Sequence, residues 1–503
     1  MTDIDVSATA KKRASPAKRL SSAEKPYILT TSDQHLASRF SFGVNERLVA
    51  DIRKAGSAKK WFKKQLKPTK VSDSSGKRVI TWFPTLRHSP ATAWKNVAAS
   101  KSSAWQYGVN FVAYSLARRV ESKRQVLEVM TDFWSNLLYI PMGEDRSFPH
   151  RFSYDQAIRA NALGSYRGLL RATVTHPAMS AWLNNSENTK AGINENLGRE
   201  LLELFTVGRG TYTEDDVKNS ARVLTGYTVA LFKDFSAGYQ PERHWVGPIR
   251  VLGFRHQNAS ADGRAAVGAY LNYLARHPAT AKRIAHRLCV KFVSDDPSDR
   301  IVNAVARAYL KSDTDIAATL KALVNHKDFG KGKRRKVRMP AEDIVNTARV
   351  LGMRPTGGSS DKAFVKQLMY MSEQVGQAPF RWPRPDGFPE DSASWLSSAR
   401  MLRSWGIHYA LAGDGWQSSQ LSRPSLKAQL PSKTVFPVTI GQLVEHQSRI
   451  LLGRPSTQSM RKNAARALDQ KSSTVLRRRK DVSEWTWTII QGAVLNSPEG
   501  VLR

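Results

Sequence analysis

Apolar residues recur at intervals of three and four along most of the chain, the spacing of one buried helix face. Between residues 125 and 138 (QVLEVMTDFWSNLL), Val126, Val129, Met130, Phe133, Trp134 and Leu137 follow that rule. The same spacing predicts helices at residues 158–170, 279–292, 301–310 and 344–351. Strict alternation is confined to residues 78–83 and 249–254, the two short-strand candidates. The pattern predicts a mainly α chain, a large multi-helix domain with at most a small β-hairpin. Gly208, Gly226 and Gly352 each end a periodic run, as helix-terminating glycines do. Residues 330–340 (GKGKRRKVRMP) read as a basic loop, and residues 377–389 (QAPFRWPRPDGFP) as a loop rich in proline and aromatic rings. Residues 414–439 are polar and read as a lid or linker. A disordered basic arm is expected at residues 1–30 and a helical region at 31–503, with 31–330 and 340–503 as candidate subdomains.

The most informative segment runs over residues 176–227 (HPAMSAWLNNSENTKAGINENLGRELLELFTVGRGTYTEDDVKNSARVLTGY). On a helical wheel of residues 195–207, Leu197, Leu201, Leu204 and Phe205 share one side. Asn196, Arg199, Glu200 and Glu203 gather on the other, with Asn194 suited to the N-cap and Gly208 to the position after the helix. Glu200 and Glu203 stand three residues apart, so their carboxylates are neighbours. Such a pair suits a divalent cation, or an acid/base pair if burial separates the two pKa values. Asn196 and Arg199 would then orient a polar substrate. The alternative is a solvated face in which Arg199 pairs with Glu203. Thr213 with Asp216 reads as a capping box, and Glu214, Asp215 and Asp216 as charge complementing a helix N-terminus.

Other residues carry weaker signals. Trp382 and Asp386 sit in the aromatic loop, which either covers a pocket and stacks on a sugar or base, or is a turn around Asp386–Gly387 packed on the core. His244 has no partner at metal-ligand spacing, and His176 and His277 precede prolines as boundary residues. The lone cysteine, Cys289, falls on an apolar helix face and excludes an internal disulfide or thiolate cluster. No serine-hydrolase elbow, phosphate-binding loop, dinucleotide fingerprint or zincin motif occurs.

The charge changes the picture only in part. Against 42 acidic residues stand 78 lysines and arginines, a net charge of +36 that attracts polyanions without specifying a fold. Lys331, Lys333, Arg334, Arg335, Lys336 and Arg338 form the densest run and are the candidate polyanion-binding residues. No nucleic-acid-binding motif accompanies them. In a field this positive, paired carboxylates are expected to stay ionised unless buried, favouring a cation site or a structural pair over a proton donor. The N-terminus has no apolar core of a signal peptide, and no run of about 18 apolar residues occurs. The expectation is a cytoplasmic protein with no transmembrane segment.

Five blocks resemble the bacterial Domain of Unknown Function 1800 family, in order and across nearly the whole chain. They are MTDFWSNL (residues 130–137), NENLGRELLELFTVG with YTEDDVKNSARVLTGY, HPATAKRIAHRL (277–288), the 377–395 loop and the closing LNSPEGVLR. The resemblance implies a large helical bacterial protein of unassigned activity. Many members are similar to exported proteins, and many sit beside a gene for a phosphatase-superfamily-like partner. This chain departs from the pattern at Ser135, where the family often has His, and at Trp245 after His244, where a His-Asp pair is usual. Asn194, Asn196, Arg199, Glu200 and Glu203 are kept. Two readings stay open: a hydrolase or transferase on a polar polymer or glycan, and a polyanion-binding, assembly or scaffold protein without catalysis.

Overall fold

The computed structural model describes residues 28–333, 335–358, 360–413 and 420–503. Most of the expected basic arm, Arg334 and the first part of the expected lid lie outside the described residues. Helices make up 60% of the structure, and the strands form four two-stranded antiparallel ladders, so the class is mainly α. Periodicity located most helices closely: Gln125–Leu137, Pro278–Phe292, Asp299–Lys311 and Pro340–Val350. The apolar spacing at 158–170 crosses two helices, Phe148–Asn161 and Tyr166–Val174. The second begins at Ser165, whose hydroxyl accepts from Gly168 N.

Most buried faces merge into one large apolar cluster that takes residues from both sides of the 330–340 loop, and Ala93, Ala104, Tyr107 and Phe148 form a second, small one. Phe292 joins parts of the large cluster, stacking on Phe40 at 4.3 Å and meeting Phe133 at 6.2 Å between ring centroids. Residues 78–83 are a correction: the short helix Ser74–Arg78 runs into the 3₁₀ helix Val79–Trp82. Val79, Phe83 and Leu86 are the buried positions, a spacing of four and three that a six-residue window hides. Residues 249–254 do enter a hairpin, Ile249–Val251 against Phe254–His256. Its turn, Leu252 at φ 49° and Gly253 at φ 87°, has the two positive φ values that match strand twist. Leu252 is held there by its N–H donating to Asp216 Oδ1 at 2.9 Å and its carbonyl accepting from Tyr273 Oη at 2.5 Å.

Two helices position the polar block. Asn196–Glu200 crosses Glu214–Val223 so closely that a Cβ on Gly198 would lie 2.7 Å from Ala221 N. Ser220 Oγ donates to Gly198 O at 3.0 Å across the same crossing. The capping box of Thr213 and Asp216 forms as expected and fixes the start of the second helix.

Candidate active site around Glu200

The expected helix over residues 195–207 changes type at its centre. It is α over Asn196–Glu200 and π over Leu201–Phe205, and it starts one residue later than Asn194 as N-cap requires. Asn194 Oδ1 still accepts from Asn196 N, at 3.1 Å, with Glu195 as the capping position. A π turn holds more residues per turn than an α turn, so the face rotates. Leu202 is therefore fully buried beside Leu197, Leu201 and Phe205, while Leu204 is only half-buried. The carbonyls displaced from the α ladder find other donors. Thr206 Oγ1 donates to Leu201 O at 2.6 Å, Tyr166 Oη to Phe205 O, and Arg283 Nε to Leu204 O at 3.3 Å.

The expected Arg199–Glu203 pair is absent. Arg199 instead makes a bidentate bond to Glu214, at 2.8 and 2.7 Å, and reaches Glu195 at 3.2 Å. The planar guanidinium fits a carboxylate edge on the neighbouring helix better than one a turn further along its own. Glu203 is taken by Arg209 Nε and by Tyr212 Oη, the latter at 2.8 Å. These bonds outweigh the opposing effect of burial and hold the Glu203 carboxyl below its usual range. Neither Arg209 nor Tyr212 was singled out in the sequence, where GRGTY reads as a plain loop; the signal was a cation and a phenol placed just after Glu203.

Glu200 is half-buried and has neither a hydrogen bond nor an ion pair among the described residues. Burial first, then the negative charge of Glu203, push its carboxyl up to about 7, with Asp386 adding to the rise against Arg209 and Arg199. The expectation that paired carboxylates stay ionised was conditional on exposure, and Glu200 is half-buried. The protein's positive surface matters less here than partial desolvation beside a fixed anion. None of the four cavities described for the chain is lined by Glu200, Glu203 or Asp386.

The amide residues beside Glu200 are engaged in structure. Asn196 Nδ2 donates to Asn184 Oδ1 at 3.2 Å, and Asn194 N donates to Asn188 Oδ1 at 2.9 Å. Asn188 in turn donates to Ala221 O at 2.8 Å, tying the block to the second helix. In the aromatic loop, Trp382 Nε1 donates to Asp386 Oδ1 at 2.7 Å, and Arg384 pairs with Asp386 at 3.1 Å. Asn136 clamps this loop with two 2.8 Å bonds to the backbone of Phe388, one donated and one accepted. Gly387, at φ 71°, lets the loop pass over Asn136 O, which a Cβ would meet at 2.0 Å. The loop is thus a fixed Asp-Gly turn that brings Asp386 into the electrostatic range of Glu200.

Among the described residues, no group of three or more His, Cys, Asp or Glu side chains has the arrangement to hold a metal ion. With Glu203 engaged by Arg209 and Tyr212, the pair does not fit the divalent cation considered from sequence. His244 is fully buried between Thr225 and Asn258, at 3.0 Å from each. His176 and His277 each cap a helix, Nδ1 accepting from Ala178 N and Ala279 N. Burial raises the Cys289 thiol to about 12, leaving it unreactive. Ser135 is buried with its hydroxyl unpartnered, beside Asn136 and Gln377 in a cavity of about 30 Å³, room for about one water.

The basic run does not form one surface patch. Lys336 is buried in an ion pair with Asp295, and Arg338 is buried and donates to Gly500 O. Lys331 pairs with Asp328 at 3.0 Å, leaving Lys333, Arg335 and the buried Arg338 as the described members of the run without an ion pair. No described helix is long and apolar enough to cross a membrane.

No curated protein and no solved structure matches the chain. A family model does, over residues 35–501, which takes in the blocks described above as far as Val501 of the closing one. The chain belongs to the family described as Protein of unknown function (DUF1800).

Proposed function

We propose that the chain is an acid/base enzyme, a hydrolase or transferase acting on a polar polymer or glycan, with Glu200 as the group that moves the proton. The observation that supports this is the asymmetry of the carboxylates. Glu203 holds Arg209 and Tyr212, Arg199 holds Glu195 and Glu214, and Glu200 alone is left unpaired, half-buried and near neutral. Neighbouring carboxylates driven apart in this way are how a protein keeps one proton donor beside one fixed anion at neutral pH. Glu203 lies one turn from Glu200 and is bonded on both oxygens, so its part is to tune Glu200 rather than to attack a substrate. The open setting of Glu200 suits an extended substrate laid over the surface. The burial of Lys336 and Arg338 removes support from the polyanion-binding reading at that run. A phosphatase-superfamily-like partner rests on the family resemblance, and co-purification of the two tests it.

The test is release of new reducing ends from a panel of neutral and acidic soluble polysaccharides. Activity is expected to fall above about pH 7 as Glu200 ionises. E200Q is expected to lose on the order of 10²–10⁴-fold in rate without losing stability. Equal rates for wild type and E200Q on any polymer that is cleaved, or no cleavage across the panel, overturn the proposal.

A further inference from the structure

The largest of the described cavities lies elsewhere, between the helix Glu46–Ala55, the end of Ala104–Glu121, the end of Pro340–Val350, residues 424–435 and the helix Ile440–Leu452. Its volume is about 610 Å³, on the order of 20 waters at about 30 Å³ each. The apolar part of its wall is aliphatic, with Leu48, Val120, Leu351, Met353, Leu430 and Ile450, and no Phe, Tyr or Trp lines it. Its one lining ring among the described residues, His446, is tied by Nε2 to Gln429 O, so the wall favours a flexible hydrocarbon over a stacked base or sugar.

Its polar groups are not neutral toward one another. Arg349 lines the cavity and is only 5% exposed, yet it has no carboxylate partner among the described residues. Nη1 donates to the carbonyls of Arg119 and Val120, and Nε is buried without an acceptor. The buried guanidiniums next to its carbonyl acceptors are paired, Arg118 with Glu128 and Arg119 with Asp132. Arg47 and Lys123, on the same cavity, also lack a carboxylate partner among the described residues. Burial first, and then repulsion from Arg47, hold the Arg349 guanidinium down to about 10. Unpaired cations gathered on one cavity, with Arg47 repelling Arg349, are the arrangement an anion would relieve. Of the carboxylates on the cavity, Glu121 is taken by Arg354, at 3.2 and 2.9 Å. Glu46 and Asp51 remain on the helix that carries Arg47. Their presence disfavours a doubly charged phosphate and leaves room for a single negative charge.

We propose that this cavity binds a small aliphatic carboxylate, its carboxylate shared by Arg349 and Arg47 and its chain laid against Leu48, Leu351, Met353 and Leu430. The site is separate from Glu200 and does not depend on the reading of that residue. Charge fixes the head of the ligand and aliphatic burial supplies the affinity, so both halves are required.

The experiment is calorimetric titration of the full chain with decanoate below its micelle-forming concentration, beside decan-1-ol, decylamine and acetate. Decanoate is expected to bind saturably with one site per chain, at least tenfold tighter than decan-1-ol or acetate, and decylamine not at all. R47Q, at a half-buried position, is expected to fold and to weaken decanoate at least tenfold while leaving decan-1-ol unchanged. R349K loses the two carbonyl bonds, so its folding is checked first by thermal melting. M353W adds a ring to the aliphatic wall and is expected to weaken decanoate and decan-1-ol alike. Decanoate binding no tighter than decan-1-ol, or undiminished in both R47Q and M353W, overturns the proposal.

Discussion

Glu200 is set apart from its neighbours by what it lacks, since every other charged side chain of its turn has a partner. Its carboxyl, raised to about 7 by burial and by Glu203, carries a thermodynamic consequence that needs no substrate. The unfolded chain ionises this group near 4.5, whereas the folded chain holds the proton until about pH 7. The native state therefore binds more protons between those values, and Glu200 makes stability fall as pH rises through them. E200Q is expected to remove that slope: relative to wild type it gains stability at pH 8 and gains nothing at pH 4. Urea unfolding at the two pH values checks this, and an equal effect at both contradicts it. At this scale the sequence exposed the residue types but not their partners. The adjacency of Glu200 and Glu203 was legible because three residues make nearly one helical turn. That Arg199 turns to Glu214 was not, because the partner lies on another helix and the crossing depends on Gly198.

The turn that carries the pair is an element with two kinds of hydrogen-bond ladder. Its π segment, Leu201–Phe205, is stabilised by outside donors, and Thr206 is the one most local to it. Thr206 is fully buried, so replacing its hydroxyl by a methyl leaves Leu201 O without that donor. T206V is expected to lose about 1–3 kcal/mol of stability, read from denaturant midpoints. No loss would mean that the π turn does not need this bond. The helix pattern was readable wherever a single α period runs through, as at Gln125–Leu137. It misassigned Leu202 and Leu204 because an ideal wheel assumes a constant number of residues per turn, and here that number changes. The 3₁₀ helix at Val79–Trp82 escaped for the opposite reason, being too short for its period to show.

Across the whole molecule, the positive excess of the sequence is partly an interior property. Glu128 is fully buried and neutralises Arg118 and Arg159, both at 2.7 Å. Lys291 and Arg503 converge on buried Glu342, at 2.9 and 3.0 Å. A charge count cannot show this, since it treats every lysine and arginine as surface. Burial works against ionisation of Glu128, but its two arginines outweigh it and hold the carboxyl down to about 2. The group therefore stabilises the fold fully above its unfolded value near 4.5, and that stabilisation is lost as pH falls from there toward 2. E128Q is expected to cost about 1.5–3 kcal/mol at pH 7, because Arg118 and Arg159 lose their short bonds and keep only Asp73, at 3.6 Å, and Asp155, at 3.5 Å. The gap between wild type and E128Q is expected to narrow below pH 4.5, and a gap that is constant with pH contradicts the assignment. The mainly α class follows from patterning alone. The large cavity does not, because five segments distant in sequence wall it.

The account turns on one proton at Glu200. A pH titration of the Glu200 carboxyl by ¹³C NMR, with glutamate labelled at Cδ and the signal assigned by its absence in E200Q, measures it directly. A midpoint near pH 7 is the expected result, whereas a midpoint near 4.5, that of an ordinary solvated glutamate, would contradict the account.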